Sequence, residues 1–306
     1  MVPRAPVASI VVTTLQPAAA PSTHLTPSGW ARWAVPGVVW GTSFFFIAEG
    51  LEAFPAATIT PIRIAFGFLT LGMFRTARTV RIEGPDRWLV RLLGLIWMAI
   101  PLSLFPFAEQ HVSSSVTGML NGATPIFVTA VAAGIAHTLP PRHRMIGLAV
   151  GLLGVVLIAL PTAGEGSSSL WGIALIFLAL VFYGFALNIA VPLQRRYGSL
   201  PVLWRAQATA LILTAPFGLA AADGIEFAWR PFLALVALGV LGTALAYVTI
   251  ADNAGRLGSS RASTTVYLIP VVSLALGALV RDETVAVLSI LGCAVTLVGA
   301  WLASRR

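Results

Sequence analysis

Arg63 is the most costly residue to place in this chain. It lies about eight residues into an apolar run, 56–74, that contains no acid. A bare cation at mid-bilayer costs about 2.5–3.5 kcal/mol on insertion scales, so this one needs protein, water or a counter-charge around it. Two uses are open to it: a clamp for a solute carboxylate, or a structural charge held by helix-end carbonyls or by Glu49. Asn121 makes a similar demand, since an amide in lipid needs partners, and it lies one turn before Pro125 in the stretch NGATPIF. The stretch VYLIPVV repeats the device at Pro270, 145 residues further on. Proline inside a helix removes one backbone hydrogen bond, which releases the carbonyls of Asn121 and Val266. These are expected to face a cavity and meet solute or water, or to be satisfied by neighbours as in other membrane helices.

Other chemistries are missing. No HExxH pattern occurs, and no Ser/His or carboxylate pair is available for an intramembrane enzyme. Gly41-Thr42-Ser43-Phe44 lacks the second glycine of a nucleophile elbow, and Cys293 stands alone, so neither a disulfide framework nor a multi-cysteine metal site can form. No metal, cofactor or catalytic residue is therefore expected. Glu49, Glu109 and Asp252 fall at the ends of apolar runs, and His24, His111, His137 and His143 fall in the N-terminal tail or near loops. Proton-driven carriers usually hold such a group along the path, so its absence at depth points to facilitated movement of a solute, with coupling through the terminal acids left open.

The elements that must position these residues are membrane spans. The chain of 306 residues is 58% hydrophobic and 10% charged, where soluble domains carry about a quarter charged residues. Its mean hydropathy is +0.90. A net charge of +8 comes from nineteen arginines set against eleven acids, the arginines mostly between the apolar runs, with no basic face for nucleic acid. Ten runs are long enough for a hydrocarbon core of about 30 Å: 31–49, 56–74, 88–108, 113–135, 145–161, 170–191, 201–222, 230–250, 260–280 and 284–303. With both termini cytoplasmic, fifteen arginines fall in inner segments and only Arg230 and Arg281 in outer ones, with Arg63 and Arg205 inside spans. Arg205, near the inner end of its span, is expected to snorkel. Residues 1–29 read as a Pro/Ala/Ser/Thr-rich tail rather than a signal peptide, since one Arg4 precedes a broken apolar core.

Sliding the chain by 145 sets Ser115 on Ser260, Pro125 on Pro270, Gly147 on Gly292 and Gly154 on Gly299 without a gap. Five spans separate the copies, and an odd number reverses the entry face, so the expected fold is all-α and integral to the membrane: ten transmembrane helices as two inverted five-helix repeats. Matched helix breakers in two such halves point to a midplane binding site. Gly147 and Gly151, with Gly292 and Gly299, permit close helix approach. They are expected to pack within the bundle, giving a monomer or weak dimer.

The chain resembles the EamA-type branch of the drug/metabolite transporter superfamily over residues 31–304. The resemblance is carried by VVWGTSFFFIAEGL (38–51), TPIRIAFGFL (60–69), SSVTGMLNGATPIF (114–127) and ALAYVTIADNAGRLGSSRASTTVYLIPVV (244–272). The sixth span departs from the family's Trp-Gly opening with Tyr183 in FYGFALN. The resemblance implies a first repeat over 30–161, a linker over 162–169 and a second repeat over 170–304. It implies export of amino acids or small metabolites through a path lined by spans one, three, four, six, eight and nine. Mapped onto this chain, the lining is Trp40, Ser43, Trp97, Pro101, Met119, Asn121, Thr124, Tyr183, Asn188, Thr243, Tyr247, Thr264 and Tyr267. Rings mixed with hydroxyls and amides suit a zwitterionic solute with an apolar or aromatic side chain. The alternatives are a metabolite or drug exporter with proton coupling, or a channel-like pore. The setting is a cell's inner membrane, with a small-molecule substrate and the lipid bilayer as the partners.

Overall fold

The computed structural model describes residues 27–137, 139–257 and 264–304, and these are helical, with no strand among them. The helices are α1 (Pro27–Leu51), α2 (Ala56–Gly72), α3 (Arg75–Thr79), α4 (Asp86–Leu93), α5 (Ile100–Glu109), α6 (Ser114–Asn121) and α7 (Thr124–Ala136). They continue with α8 (Arg142–Ala163), α9 (Ser167–Tyr197), α10 (Ser199–Ala220), α11 (Trp229–Ala237) and α12 (Ala246–Leu257). The chain closes with α13 (Leu268–Val280), entered through a 3-10 turn at Thr264–Tyr267, and α14 (Val287–Ser304). Seven helical stretches are long and apolar enough to cross a membrane, and three shorter apolar ones accompany them: Ala56–Gly72, Thr264–Val280 and Val287–Ala303. Apolar side chains cover the outside too: Leu69, Ile212, Phe217 and Leu279 are all well exposed. A helix apolar all round is stable in water only when buried, so these faces meet lipid and the molecule is a multi-pass membrane protein.

Helix α9 is the longest, with 31 residues. At 1.5 Å per residue this is about 46 Å, well beyond the hydrocarbon core. Its ends are set by Gly166 and Gly198, whose φ of 133° and 83° suits glycine rather than an L side chain. Most of the expected linker is thereby helical, for α8 runs to Ala163 and α9 begins at Ser167. Ser260 and most of the tail lie outside the described residues.

Glycines bring stretches related by the 145-residue offset into contact, and each pair runs antiparallel. On α8 and α14, Gly147 abuts Ala303, Gly151 abuts Gly299, Gly154 abuts Thr296 and Ile158 abuts Gly292. Ascending one helix descends the other. A side chain at Gly147, Gly154, Gly292 or Gly299 would meet backbone atoms of the facing helix closer than 3 Å, and one at Gly151 would run into the Ile126 side chain. The glycine faces are thus used inside the chain, as expected. Helices α6 and α13 repeat the arrangement, with Ser115 beside Gly277, Gly118 beside Ser273 and Gly122 beside Pro270. So do α2 and α10, with Pro61 beside Gly218 and Gly72 beside Trp204.

Two π-helical segments interrupt the bundle, Gly94–Ala99 between α4 and α5 and Leu238–Leu245 between α11 and α12. Gly94 and Gly239 are 145 residues apart. Gly94 packs on Ala206 and Thr209 of α10, and Gly239 on Arg63 and Phe66 of α2. Each segment therefore rests on a helix of the opposite half.

Candidate functional site

The π segment at 238–245 builds the centre. An extra residue per turn shifts the hydrogen-bond register, and such bulges recur at functional sites. Thr243 Oγ1 donates to Leu238 O five residues back, at 3.1 Å, and accepts from Arg63 Nε at 3.2 Å. Gln207 Nε2 donates to Thr243 O at 2.7 Å, and Trp40 Nε1 donates to Gly242 O at 3.0 Å. The Trp40 ring lies 5.1 Å from that of Tyr247, and Trp97 approaches the same tyrosine at 5.5 Å, both edge-on. A side chain at Gly242 would lie 3.0 Å from Ser43 Oγ and 4.0 Å from an Arg63 terminal nitrogen. Trp40, Ser43, Arg63, Trp97, Thr243 and Tyr247 are thus brought together from four separate stretches.

Arg63 is buried, with 5% of its surface exposed, and lies within electrostatic reach of Tyr183, Tyr247 and Glu109. Its expected partner Glu49 is engaged elsewhere. Arg230 Nε and Arg281 Nη1 each reach Glu49 at 2.6 Å, because Glu49 lies near the end of α1 and Arg63 about two turns into α2. Of the five N–H donors of the Arg63 guanidinium, only Nε finds an acceptor among the described residues. The remaining donors form a fork suited to a carboxylate.

The two prolines restart helices. Pro125 is the second residue of α7, and Pro270 the third of α13. The carbonyl that Pro125 releases is taken by its neighbour, as Thr124 Oγ1 donates to Asn121 O at 2.6 Å. Gly122 touches Pro270, so the two breaks meet. Pro101 and Met119 are buried in the packed bundle. Asn188 Nδ2 donates to Val128 O at 3.1 Å and Gly184 O at 2.8 Å, tying α9 to α7. Tyr267 Oη donates to Ala300 O at 3.0 Å, and Trp33 Nε1 donates to Thr264 Oγ1 at 3.2 Å. Tyr183 lies beside Phe105, 6.0 Å between rings. Asn121, Thr124, Asn188, Thr264 and Tyr267 therefore stand apart from the Arg63 cluster, their polar atoms largely engaged with backbone or neighbouring side chains.

Both ends of the bundle are bridged across the halves. At the end expected to face outward, Arg281 joins Glu49 and Glu52, at 2.6 and 3.0 Å. Glu283 accepts from the backbone N–H and hydroxyl of both Ser114 and Ser115 at 2.6–3.0 Å, capping α6 from the opposite half. At the opposite end, expected to be the inner one, Asp86 accepts from Arg196 Nη1 and Tyr197 Oη, both at 2.8 Å, and Asn253 Nδ2 donates to Arg32 O at 2.9 Å. Arg205, expected to snorkel, donates to Ala77 O, Val80 O and Pro201 O at 2.6–3.1 Å and so anchors α3.

A profile described as the EamA-like transporter family matches residues 30–160 and 170–305. The chain belongs to this family. It is a transporter-family protein and not an enzyme. EamA relatives include the uncharacterised transporter YdfC of Bacillus subtilis, 27% identical with 85% of this chain and 86% of that one covered. A probable terminal-alkyne amino-acid exporter of Streptantibioticus cattleyicolor is 26% identical, with 88% and 91% covered. The uncharacterised inner membrane transporter YedA of Escherichia coli K12 is 24% identical, with 81% of each covered. A protein of known crystal structure superposes with a TM-score of 0.57 at 17% identity, covering 88% of this chain and 97% of the other. That likeness speaks to the fold alone.

Sequence reasoning missed Gln207, whose amide holds the Thr243 carbonyl, and the role of Glu109. Both Glu109 carboxylate oxygens are buried and accept from no protein donor among the described residues. The sequence placed it only among the acids at the ends of apolar runs. The bundle folds the carboxyl inward, beside a cavity of about 210 Å3, at the end expected to face outward, that Glu52, Arg281 and Glu283 also line. The one sequence trace of the π segments was the glycine pair at the 145-residue offset.

Proposed function

We propose that this protein is a secondary transporter that exports small organic solutes, foremost amino acids with apolar or aromatic side chains, by alternating access. Ten spans form two inverted five-helix repeats, 30–161 and 170–304, that rock against each other in the inner membrane with both termini cytoplasmic. Three helix pairs, matched by the sequence offset and packed antiparallel, support the inverted arrangement. The observation that carries the substrate reading is Arg63, buried at the junction with most of its donors uncommitted and two tryptophans and a tyrosine gathered beside it. The fork receives the solute carboxylate and the rings receive its side chain. The relative named as a probable amino-acid exporter agrees with this choice. Such a cycle runs on the solute gradient alone, and no acid or histidine is needed at mid-depth.

Proton coupling is the second reading, favoured by the inward-turned Glu109 carboxyl, which lies within electrostatic reach of Arg63, Arg281 and Glu283. The test is counterflow in proteoliposomes against amino acids, nucleobases and sugar phosphates at two pH values. Saturable, trans-stimulated flux of apolar or aromatic amino acids is the expected result, and Glu109→Gln separates the two readings by abolishing any pH dependence. Non-saturating conductance would make the protein a pore, and a preference for phosphates would overturn the substrate choice.

A further inference from the structure

A cavity of about 450 Å3 lies away from the central cluster, where α4 and α10 begin. Its wall includes Arg81, Arg87, Arg91 and Arg205, with Val90 and Thr209. No acid contributes to that wall. Asp86, next to Arg87 in the chain, is committed to Arg196 and Tyr197. Two of the arginines build the site rather than fill it. Arg87 Nε donates to Ile82 O at 2.9 Å, and Arg205 holds the Ala77 and Val80 carbonyls, which fixes the connection between α3 and α4. Arg81 and Arg91 are exposed and donate to no protein group among the described residues.

Four like charges around one concavity repel each other unless an anion joins them, and guanidinium forks match phosphate oxygens in pairs. The surroundings narrow the class of anion. One turn deeper than Arg91 stands Leu95, and one turn deeper than Ala208 stands Ile212, 37% and 73% exposed. Close contact of Gly94 with Thr209 shuts the gap between the helices at the cavity's deep end. Tails leaving the cavity would therefore run over the outside of these helices, along faces already apolar. Trp88, 65% exposed, marks the headgroup level beside Arg87. Basic pockets between spans near a membrane surface receive anionic headgroups.

We infer that this cavity binds the phosphate headgroup of an anionic phospholipid, its acyl chains lying along Leu95 and Ile212. The inference needs the membrane setting and does not depend on which solute is carried. The experiment uses the purified full chain in neutral detergent, titrated with phosphatidylglycerol or phosphatidylcholine, with retained lipid counted by native mass spectrometry. Phosphatidylglycerol is retained in preference to phosphatidylcholine, and the double variant Arg81→Gln/Arg91→Gln weakens that retention about thirtyfold. Arg195→Gln, an exposed arginine outside the cavity, leaves retention unchanged. Equal retention of both lipids, or wild-type retention by the double variant, overturns the assignment. Millimolar inorganic phosphate serves as the other arm: occupancy by phosphate with no lipid retained makes this a small-anion site and overturns the lipid assignment as well.

Discussion

Replacing Arg281 with Gln isolates the outer bridge between the halves. Arg281 contacts Glu49 at 2.6 Å and Glu52 at 3.0 Å, and these two carboxylates differ sharply in setting. The Glu49 side chain is 3% exposed and that of Glu52 47%. An exposed pair contributes about 0–1 kcal/mol, whereas a hydrogen bond to a buried charge contributes about 1.5–3 kcal/mol. The closed outer end therefore loses about 2 kcal/mol, nearly all of it from Glu49, which shifts its equilibrium toward opening about thirtyfold. The other partner of Glu49 is a built-in control, since Arg230 is 71% exposed on its side chain. Arg230→Gln is expected to shift the same equilibrium less than about fivefold. The assay is the rate at which an impermeant maleimide labels Val112→Cys, a buried position lining the outer cavity, in a Cys293→Ser background. The rate rises about thirtyfold for Arg281→Gln and only slightly for Arg230→Gln. Equal effects of the two substitutions, or none from Arg281→Gln, would refute the claim that the pair of Glu49 with the more buried arginine, Arg281, sets the latch.

The inner bridge gives the mirror outcome. Asp86→Asn removes the carboxylate shared by Arg196 and Tyr197 and is expected to raise labelling from the inner face while leaving the outer rate unchanged. Arg63→Gln removes the carboxylate fork, so KM for amino acids rises about 10- to 100-fold in proteoliposome uptake, while Arg63→Lys recovers part of the loss. Gly299→Ala places a methyl against the backbone of α8, where Gly147 O and Gly151 leave no room. It lowers thermal stability in detergent by about 1–3 kcal/mol, whereas Gly134→Ala, with open space around it, is neutral in the same melt.

The apolar runs were legible because the bilayer imposes their length, and span ends came within a few residues for most helices. The long α9 was not, since its polar first turn and Arg195–Arg196 at its end read as loop. The matched prolines marked helix restarts correctly as local events. Their consequence depended on contacts that sequence does not display: Thr124 closes the released carbonyl, and Gly122 meets Pro270. The π segments were illegible for a related reason. They arise where Gly94 and Gly239 let a helix of one half settle on the other, and no residue type in GLIWMA or LGVLGTAL specifies a π turn by itself. Of the candidate path residues, the aromatics Trp40, Trp97 and Tyr247 converge, because large rings over glycine-rich helices pack toward the same gap. Ion pairs such as Glu49 with Arg281 join residues 232 apart in the chain, and spacing alone carries no trace of them.

The claim that two halves rock about the Arg63 cluster is tested most directly by two distances in one reconstituted protein. Spin labels at Gln110 and Phe227 report the outer end, and labels at Glu83 and Arg195 the inner end, all at exposed positions. Adding a transported amino acid is expected to change the two distances in opposite directions. Distances that stay fixed during saturable transport, or that lengthen together, would contradict alternating access.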